Sequence, residues 1–180
     1  PEIEHIRKTW EFAQKSQLFL NNRAGQFVEI TDRAGPPFQS KMVGRSVATA
    51  DIDGDGDLDV LLTANGGSPK LLRNDRPTDA KVVRVRLIGA GKNTNAVGAT
   101  LRAEIAGVTQ TRFVSTGGSY LSQSELTATF GLGSATSITR LTIRWPDGSQ
   151  AEFPNLAAGS LYTVQQGAGV VRSEPLRSRP

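Results

Sequence analysis

Short runs of apolar and β-branched residues, broken by Gly, Pro, Asn and Asp, recur along most of the chain. The alternation is strictest at residues 83–87, Val-Arg-Val-Arg-Leu, where the period of two predicts a strand with one buried face. Later runs lie between Gly-rich or Pro-Asp-Gly turns, at residues 99–105, 109–115, 126–130, 138–145, 151–153 and 161–164. This spacing is typical of an antiparallel β-sandwich, which we predict for residues 81–166.

The part of the chain before this region contains two predicted hairpins. The first joins residues 18–20 to residues 27–31, and the second joins residues 46–50 to residues 60–64 through an aspartate-rich loop. A unit over residues 17–75 with four or five short strands matches about one β-propeller blade. Because a single blade does not bury a core by itself, we expect further blades upstream in the same polypeptide.

The remaining segments carry weaker patterns. Residues 1–16 place apolar side chains at helical spacing and predict a short amphipathic helix, with Ile3, Ile6, Trp10 and Ala13 on one face. Residues 76–80, Arg-Pro-Thr-Asp-Ala, indicate a linker, and residues 167–180 have little apolar content and predict a flexible tail. The predicted fold class is all-β, with a C-terminal β-propeller blade followed by an antiparallel β-sandwich domain.

The aspartate-rich loop, residues 51–59, carries Asp at every odd position and Gly at its fourth and sixth positions. Ca²⁺ is a hard cation that takes roughly six to eight oxygen ligands, and alternate carboxylates on a tightly turning backbone supply them. We expect Asp57 to offer its main-chain carbonyl and the other four aspartates to offer carboxylates. The candidate calcium ligands are Asp51, Asp53, Asp55, Asp57 and Asp59.

Two other interpretations of this loop were weighed. An Asp- and Gly-rich stretch is often a solvated turn, but five alternating carboxylates would repel one another strongly if no cation were bound. An EF-hand is excluded because Leu62 occupies the position of the bidentate Glu and because the flanking segments are β-type. The loop is therefore predicted to bind calcium within a hairpin.

Composition and charge exclude several kinds of site and some classes of partner. The 180 residues include no Cys, which excludes disulfides, thiolate zinc sites and cysteine nucleophiles, and no apolar run is long enough for a membrane span. The net charge is +4, and because the five loop aspartates carry −5, the remainder carries +9. Such a surface is either an ordinary solvated one or a binding surface for a polyanion or carbohydrate. The Lys and Arg residues form no long run, so nucleic acid is not a favoured partner.

The sequence gives little evidence of a group of catalytic residues. The polar cluster at residues 119–123, Ser-Tyr-Leu-Ser-Gln, has no base nearby in sequence, and the chain's one histidine is His5. A nucleophilic serine requires a positioned base, so we expect a protein that is not an enzyme. Tyr120 is expected either to stack on a ligand such as a sugar or to pack in the core with its hydroxyl bonded.

The stretch Val47–Val60 around the aspartate loop resembles the FG-GAP/VCBS repeat. Residues 18–22, Leu-Phe-Leu-Asn-Asn, and residues 27–31, Phe-Val-Glu-Ile-Thr, resemble the preceding strands of that repeat. The resemblance implies a blade of an integrin-type β-propeller, with a calcium ion in each such loop.

The second half resembles the ASPIC/UnbV domain, which follows such repeats in bacterial secreted proteins and in the cartilage acidic protein family. Four motifs occur in order, at residues 95–99, 117–123, 130–133 and 144–148. The combined resemblance implies an extracellular or periplasmic module that binds an unidentified protein or glycan ligand in a calcium-dependent way. The chain opens at Pro1 without a charged and then apolar leader, so we expect any signal peptide upstream.

Overall fold

The structure, a computed structural model, describes residues 11–22, 24–75 and 81–177, and nearly all of its regular structure is β. The predicted all-β class is confirmed. Two units are distinguished along the chain. The first comprises the described residues up to Ala48, Val60–Leu72 and Ser119–Ser122; the second comprises Thr49–Asp59, Arg73–Gly118 and the described residues from Gln123 onward.

The strands before the linker form three small sheets. Their bounds are β1 Gln14–Lys15, β2 Phe19–Asn21, β3 Phe27–Glu29, β4 Lys41–Met42, β5 Gly44–Ala50, β6 Asp59–Ala64 and β7 Gly67–Leu72, with short 3-10 helices at Thr31–Arg33 and Pro36–Gln39. The sheets are β1-β4, the hairpin β2-β3, and β5-β6-β7. Both predicted hairpins are present, and the aspartate loop connects β5 to β6.

The first unit buries little apolar surface. Met42 is its one buried hydrophobic side chain among the described residues, whereas Phe19, Leu20, Phe27 and Leu71 are half or more exposed. Much of the apolar surface of these strands is therefore left uncovered by the described part of this unit.

The second unit is a sandwich of two four-stranded sheets. The strands are β8 Lys81–Ile88, β9 Thr100–Ile105, β10 Val108–Phe113, β11 Ala128–Gly133, β12 Ser137–Arg144, β13 Gln150–Ala157, β14 Ser160–Gln165 and β15 Gly169–Pro175. One sheet has the order β10-β9-β12-β13 and the other β11-β8-β14-β15. Pairing between these strands is antiparallel except for β8 and β14, which run parallel.

The period-two pattern explains the core between these sheets. On β8, Val83, Val85 and Leu87 are buried in one apolar cluster with side chains such as Leu101 of β9 and Phe130 of β11. The intervening positions of β8 face the other side of their sheet, where Arg84 is nevertheless buried. Whatever buries Arg84 must therefore lie outside the sandwich core.

The C-terminal segment differs from its predicted state. The flexible tail predicted for residues 167–180 is wrong in its central part, because Gly169–Pro175 form β15 and pair with β14. An edge strand is held by backbone hydrogen bonds and needs few apolar side chains, so composition did not reveal it. Most of the helix predicted in residues 1–16, and the linker at 76–80, lie outside the described residues; the described part of residues 1–16 contains β1.

Candidate metal centre

The aspartate loop turns sharply between β5 and β6. Gly54 and Gly56 have φ values of 84° and 97°, in the left-handed region that favours glycine. Gly56 is also enclosed: a Cβ at this position would lie 2.6 Å from Val82 Cγ1 and 2.8 Å from Leu176 Cδ1. The glycine that sequence analysis assigned to the turn is thus also required by close packing.

Three aspartate side chains converge inside this loop. One carboxylate oxygen from each of Asp51, Asp53 and Asp59 lies within 4.8 Å of the others. Carboxylate oxygens are the ligands that hard divalent cations prefer in proteins. This group could hold a metal ion.

Backbone amides orient two of these carboxylates. Asp51 Oδ1 accepts from Gly54 N at 2.7 Å and its Oδ2 accepts from Gly56 N at 2.9 Å. Asp59 Oδ2 accepts from Ile52 N at 2.9 Å and its Oδ1 accepts from Asn74 N at 2.8 Å. A carboxylate has about four lone-pair positions, so both retain acceptor capacity that can face a cation.

Asp55 and Asp57 lie outside the group of three. The side chain of Asp55 is buried, and its Oδ1 accepts from Asp57 N at 2.8 Å, while Asp55 N donates to Asp53 Oδ1 at 3.3 Å. These bonds continue the tight turn. The predicted roles of Asp55 as a carboxylate ligand and of Asp57 as a carbonyl ligand stay predictions.

A buried arginine faces the loop, and sequence reasoning did not identify it. Arg84 Nη1 donates to Asp51 Oδ2 at 2.7 Å, Nη2 donates to Glu125 Oε1, and Nε donates to Thr129 Oγ1 at 3.2 Å. Glu125 Oε1 also accepts from Asp51 N at 3.2 Å. The positive charge of the guanidinium thus compensates the negative charges of two carboxylates, and its hydrogen bond fixes the first aspartate of the loop against β8.

A second arginine approaches the group from the solvent side. Arg73 Nε lies 2.7 Å from Asp75 Oδ1 and 3.9 Å from Asp53 Oδ2. The hydrogen bond and charge of Asp75 raise the pKa of Arg73, and the charges of Asp53 and Asp59 act in the same direction. Asp75, which lies outside the loop, is thus the main partner of Arg73, and the loop aspartates add to its effect.

The serine cluster of residues 119–123 is engaged with β5. Ser119 Oγ accepts from Val47 N at 3.2 Å, and Ser122 Oγ donates to Val47 O at 3.0 Å. Tyr120 is 56% exposed, with Arg45 Cζ 4.7 Å from its ring centroid, so the expected core packing of this tyrosine is wrong. Arg45 covers one face of its ring, and stacking on a ligand, the other role that the sequence predicted, stays a prediction.

Comparison with known families agrees with this division of the chain. The family described as FG-GAP-like repeat matches residues 10–62, which include the whole aspartate loop. The family described as ASPIC and UnbV matches residues 89–171. The search of curated proteins gave no match.

No helix in the described part of the chain is long and apolar enough to cross a membrane. The two families are typical of extracellular binding or adhesion modules. Residues 10–62 thus match an FG-GAP-like repeat, and residues 89–171, which follow it, match an ASPIC/UnbV domain.

Proposed function

We propose that this chain is a calcium-binding, secreted module for binding or adhesion, and that it has no catalytic role. The observation that carries the proposal is the convergence of Asp51, Asp53 and Asp59, with one carboxylate oxygen from each within 4.8 Å of the others. FG-GAP repeats often bind calcium, which supports the identity of the ion.

The chemistry of the loop favours calcium over other metals. All candidate ligands are oxygens, and the described chain brings no nitrogen or sulfur ligand into the group. Carboxylates of Asp51, Asp53, Asp55 and Asp59, with the carbonyl of Asp57, would form a flexible set of oxygens that suits Ca²⁺ better than the strict octahedron of Mg²⁺. The bound ion would neutralise the loop and hold it in one conformation.

The polar cluster supports binding rather than catalysis. Both Ser119 and Ser122 use their hydroxyl groups on the backbone of Val47, as expected of side chains that fix a loop. In this proposal the ligand is a protein or glycan. Additional propeller blades of the same polypeptide would cover the exposed apolar side chains of the repeat, such as Phe19 and Phe27.

The test is calcium titration by isothermal calorimetry, together with thermal unfolding in calcium and in chelator. Wild type should bind one calcium ion, and the double variant Asp53→Asn, Asp55→Asn should lose both the heat of binding and the calcium-dependent rise in Tm. Asp32→Asn, at an exposed aspartate outside the loop, is the matched control and should behave as wild type. If wild type has the same Tm in calcium and in chelator and gives no binding heat, the proposal is wrong.

A second candidate is a polyanion- or carbohydrate-binding module. The exposed ring of Tyr120 with Arg45 above it favours this candidate, since aromatic faces and arginines bind sugars and anionic groups. Retention on a heparin column with a steep salt dependence, lost in Tyr120→Ala and Arg45→Met, would support it. Retention that both variants share with wild type would exclude this site.

A further inference from the structure

The residues that follow β15 contact the aspartate loop. Leu176 N donates to Gly159 O at 2.9 Å, which extends the path of β15 by one residue. Arg177 N then donates to Gly54 O at 2.8 Å, and Arg177 Nη1 donates to Asp53 O at 3.2 Å. The C-terminal segment therefore binds two consecutive backbone carbonyls of the loop directly.

The side chain of Leu176 completes this contact. Gly159 N donates to Val82 O at 2.8 Å, so Gly159 is bonded to the backbone of both Val82 and Leu176. Gly56 lies against both side chains, with no room for a Cβ. The loop thus rests on an apolar pair from β8 and from the end of the chain.

The contact involves residues that neither family comparison covers. Val82, Arg84, Leu176 and Arg177 all fall outside the matched segments 10–62 and 89–171. Arg84 binds the carboxylate of Asp51, and Arg177 binds the backbone carbonyls of Gly54 and Asp53. The two candidate ligands at the start of the loop are therefore fixed from β8 and from the C-terminal segment.

We propose that Leu176 and Arg177 form a strap that holds the aspartate loop in its cation-binding conformation, and that they are positioning residues for Asp53. This inference rests on the proposed calcium site. A loop with two glycines in the left-handed region has many alternative conformations, and fixing one residue has an entropic cost that corresponds to about a tenfold change in an equilibrium constant. If the strap contributes the ordering of one residue, its loss weakens calcium binding about tenfold.

The linkage operates in both directions. If the strap raises the affinity of the loop for calcium, then calcium must stabilise the contact between the strap and the loop by the same factor. The amide of Arg177, which donates to Gly54 O, should exchange with deuterium more slowly in calcium than in chelator.

The experiment compares the full chain with a chain that ends at Pro175 and with Leu176→Ala. Calcium Kd is measured by calorimetry and amide exchange by mass spectrometry in chelator and in calcium. We expect a Kd about tenfold higher in the shortened chain, a smaller increase in Leu176→Ala, and faster exchange over residues 51–59 in both. Arg172→Met, which removes a charge from β15 without touching the loop, is the control and should keep the wild-type Kd.

Charge effects predict the opposite result, which makes the outcome decisive. Shortening the chain removes positive charge near a cation site, and by electrostatics alone it would strengthen calcium binding. An unchanged or lower Kd in a shortened chain that still unfolds cooperatively would overturn the strap and leave the calcium site intact. Absence of calcium binding in the full chain would overturn both the proposed function and the strap.

Discussion

Arg84 Nη1 on β8 lies 2.7 Å from Asp51 Oδ2, and the two side chains are 5% and 0% exposed. A buried charge that loses its partner is strongly destabilising, because the remaining ion stays in a medium of low polarity. The arginine therefore connects a strand of the sandwich to the first residue of the candidate metal loop.

Arg84→Met leaves the carboxylates of Asp51 and Glu125 without this compensating cation. We expect a loss of about 3 kcal/mol or more in the free energy of unfolding, measured by urea denaturation in chelator. Arg86→Met, at the next exposed position of β8, is the matched control and should change it by less than about 0.5 kcal/mol. Equal effects of the two substitutions would show that the Arg84 pair adds nothing to stability.

Gly56→Ala places a methyl group against Val82 and Leu176 and also strains the backbone at a φ of 97°. We expect a loss of about 2 kcal/mol or more, with weaker calcium binding, because the loop must move away from the sheet. Gly66→Ala is a strict control, since Gly66 has a φ of 72° but open space around it. That variant should lose only the backbone contribution of about 1 kcal/mol. A Gly56→Ala variant as stable as Gly66→Ala would contradict the packing of the loop on Val82 and Leu176.

Calcium should raise the thermal stability of the whole chain, since it binds the ordered loop and not the unfolded state. At about ten times its Kd the expected gain is roughly 1.4 kcal/mol. Magnesium should give a much smaller rise in Tm at equal concentration, because it loses its hydration water reluctantly and requires a tighter octahedron. An equal response to both ions would indicate nonspecific screening of the aspartates.

Removal of residues 167–180 deletes β15 and exposes the edge of β14. We expect a loss of more than about 1 kcal/mol, beyond the range of ordinary surface changes. A chain that ends at Arg177 retains β15 and the strap, and it should be as stable as the full chain. Chemical denaturation of the two shortened chains distinguishes an integral strand from a dispensable tail.

Much of the fold could be predicted from the alternation of apolar and polar residues with a period of two. The alternation at residues 83–87 correctly predicted β8, because strands with one buried face carry the pattern in their side chains. β15 was missed because its side chains are mostly exposed and its place in the sheet depends on hydrogen bonds to β14. Hydrogen bonding between backbones of neighbouring strands does not require a particular pattern of side chains in the sequence.

The aspartate loop also combines a feature that local sequence predicts with a distant contact that it does not. Of the five alternating aspartates, Asp51, Asp53 and Asp59 converge, and all three lie within a span of nine residues; the binding of an ion stays a prediction. The burial of Arg84 was not predictable, because an outward position in an alternating strand normally faces solvent. Its partners Asp51 and Glu125 are 33 and 41 residues away in the chain, and no local pattern relates them.

The grouping of Thr49–Asp59 with the second unit limits how this protein can be divided. Thr49 N donates to Ser124 Oγ at 3.0 Å and Glu125 N donates to Thr49 O at 2.9 Å, so this segment is bonded to the residues that precede β11. A transplant of residues 81–180 into another polypeptide would take Arg84 and Glu125 but leave Asp51 behind. The smallest portable piece of the ASPIC/UnbV domain therefore begins inside the FG-GAP-like repeat, and a recombination point at the linker would split a single structural unit.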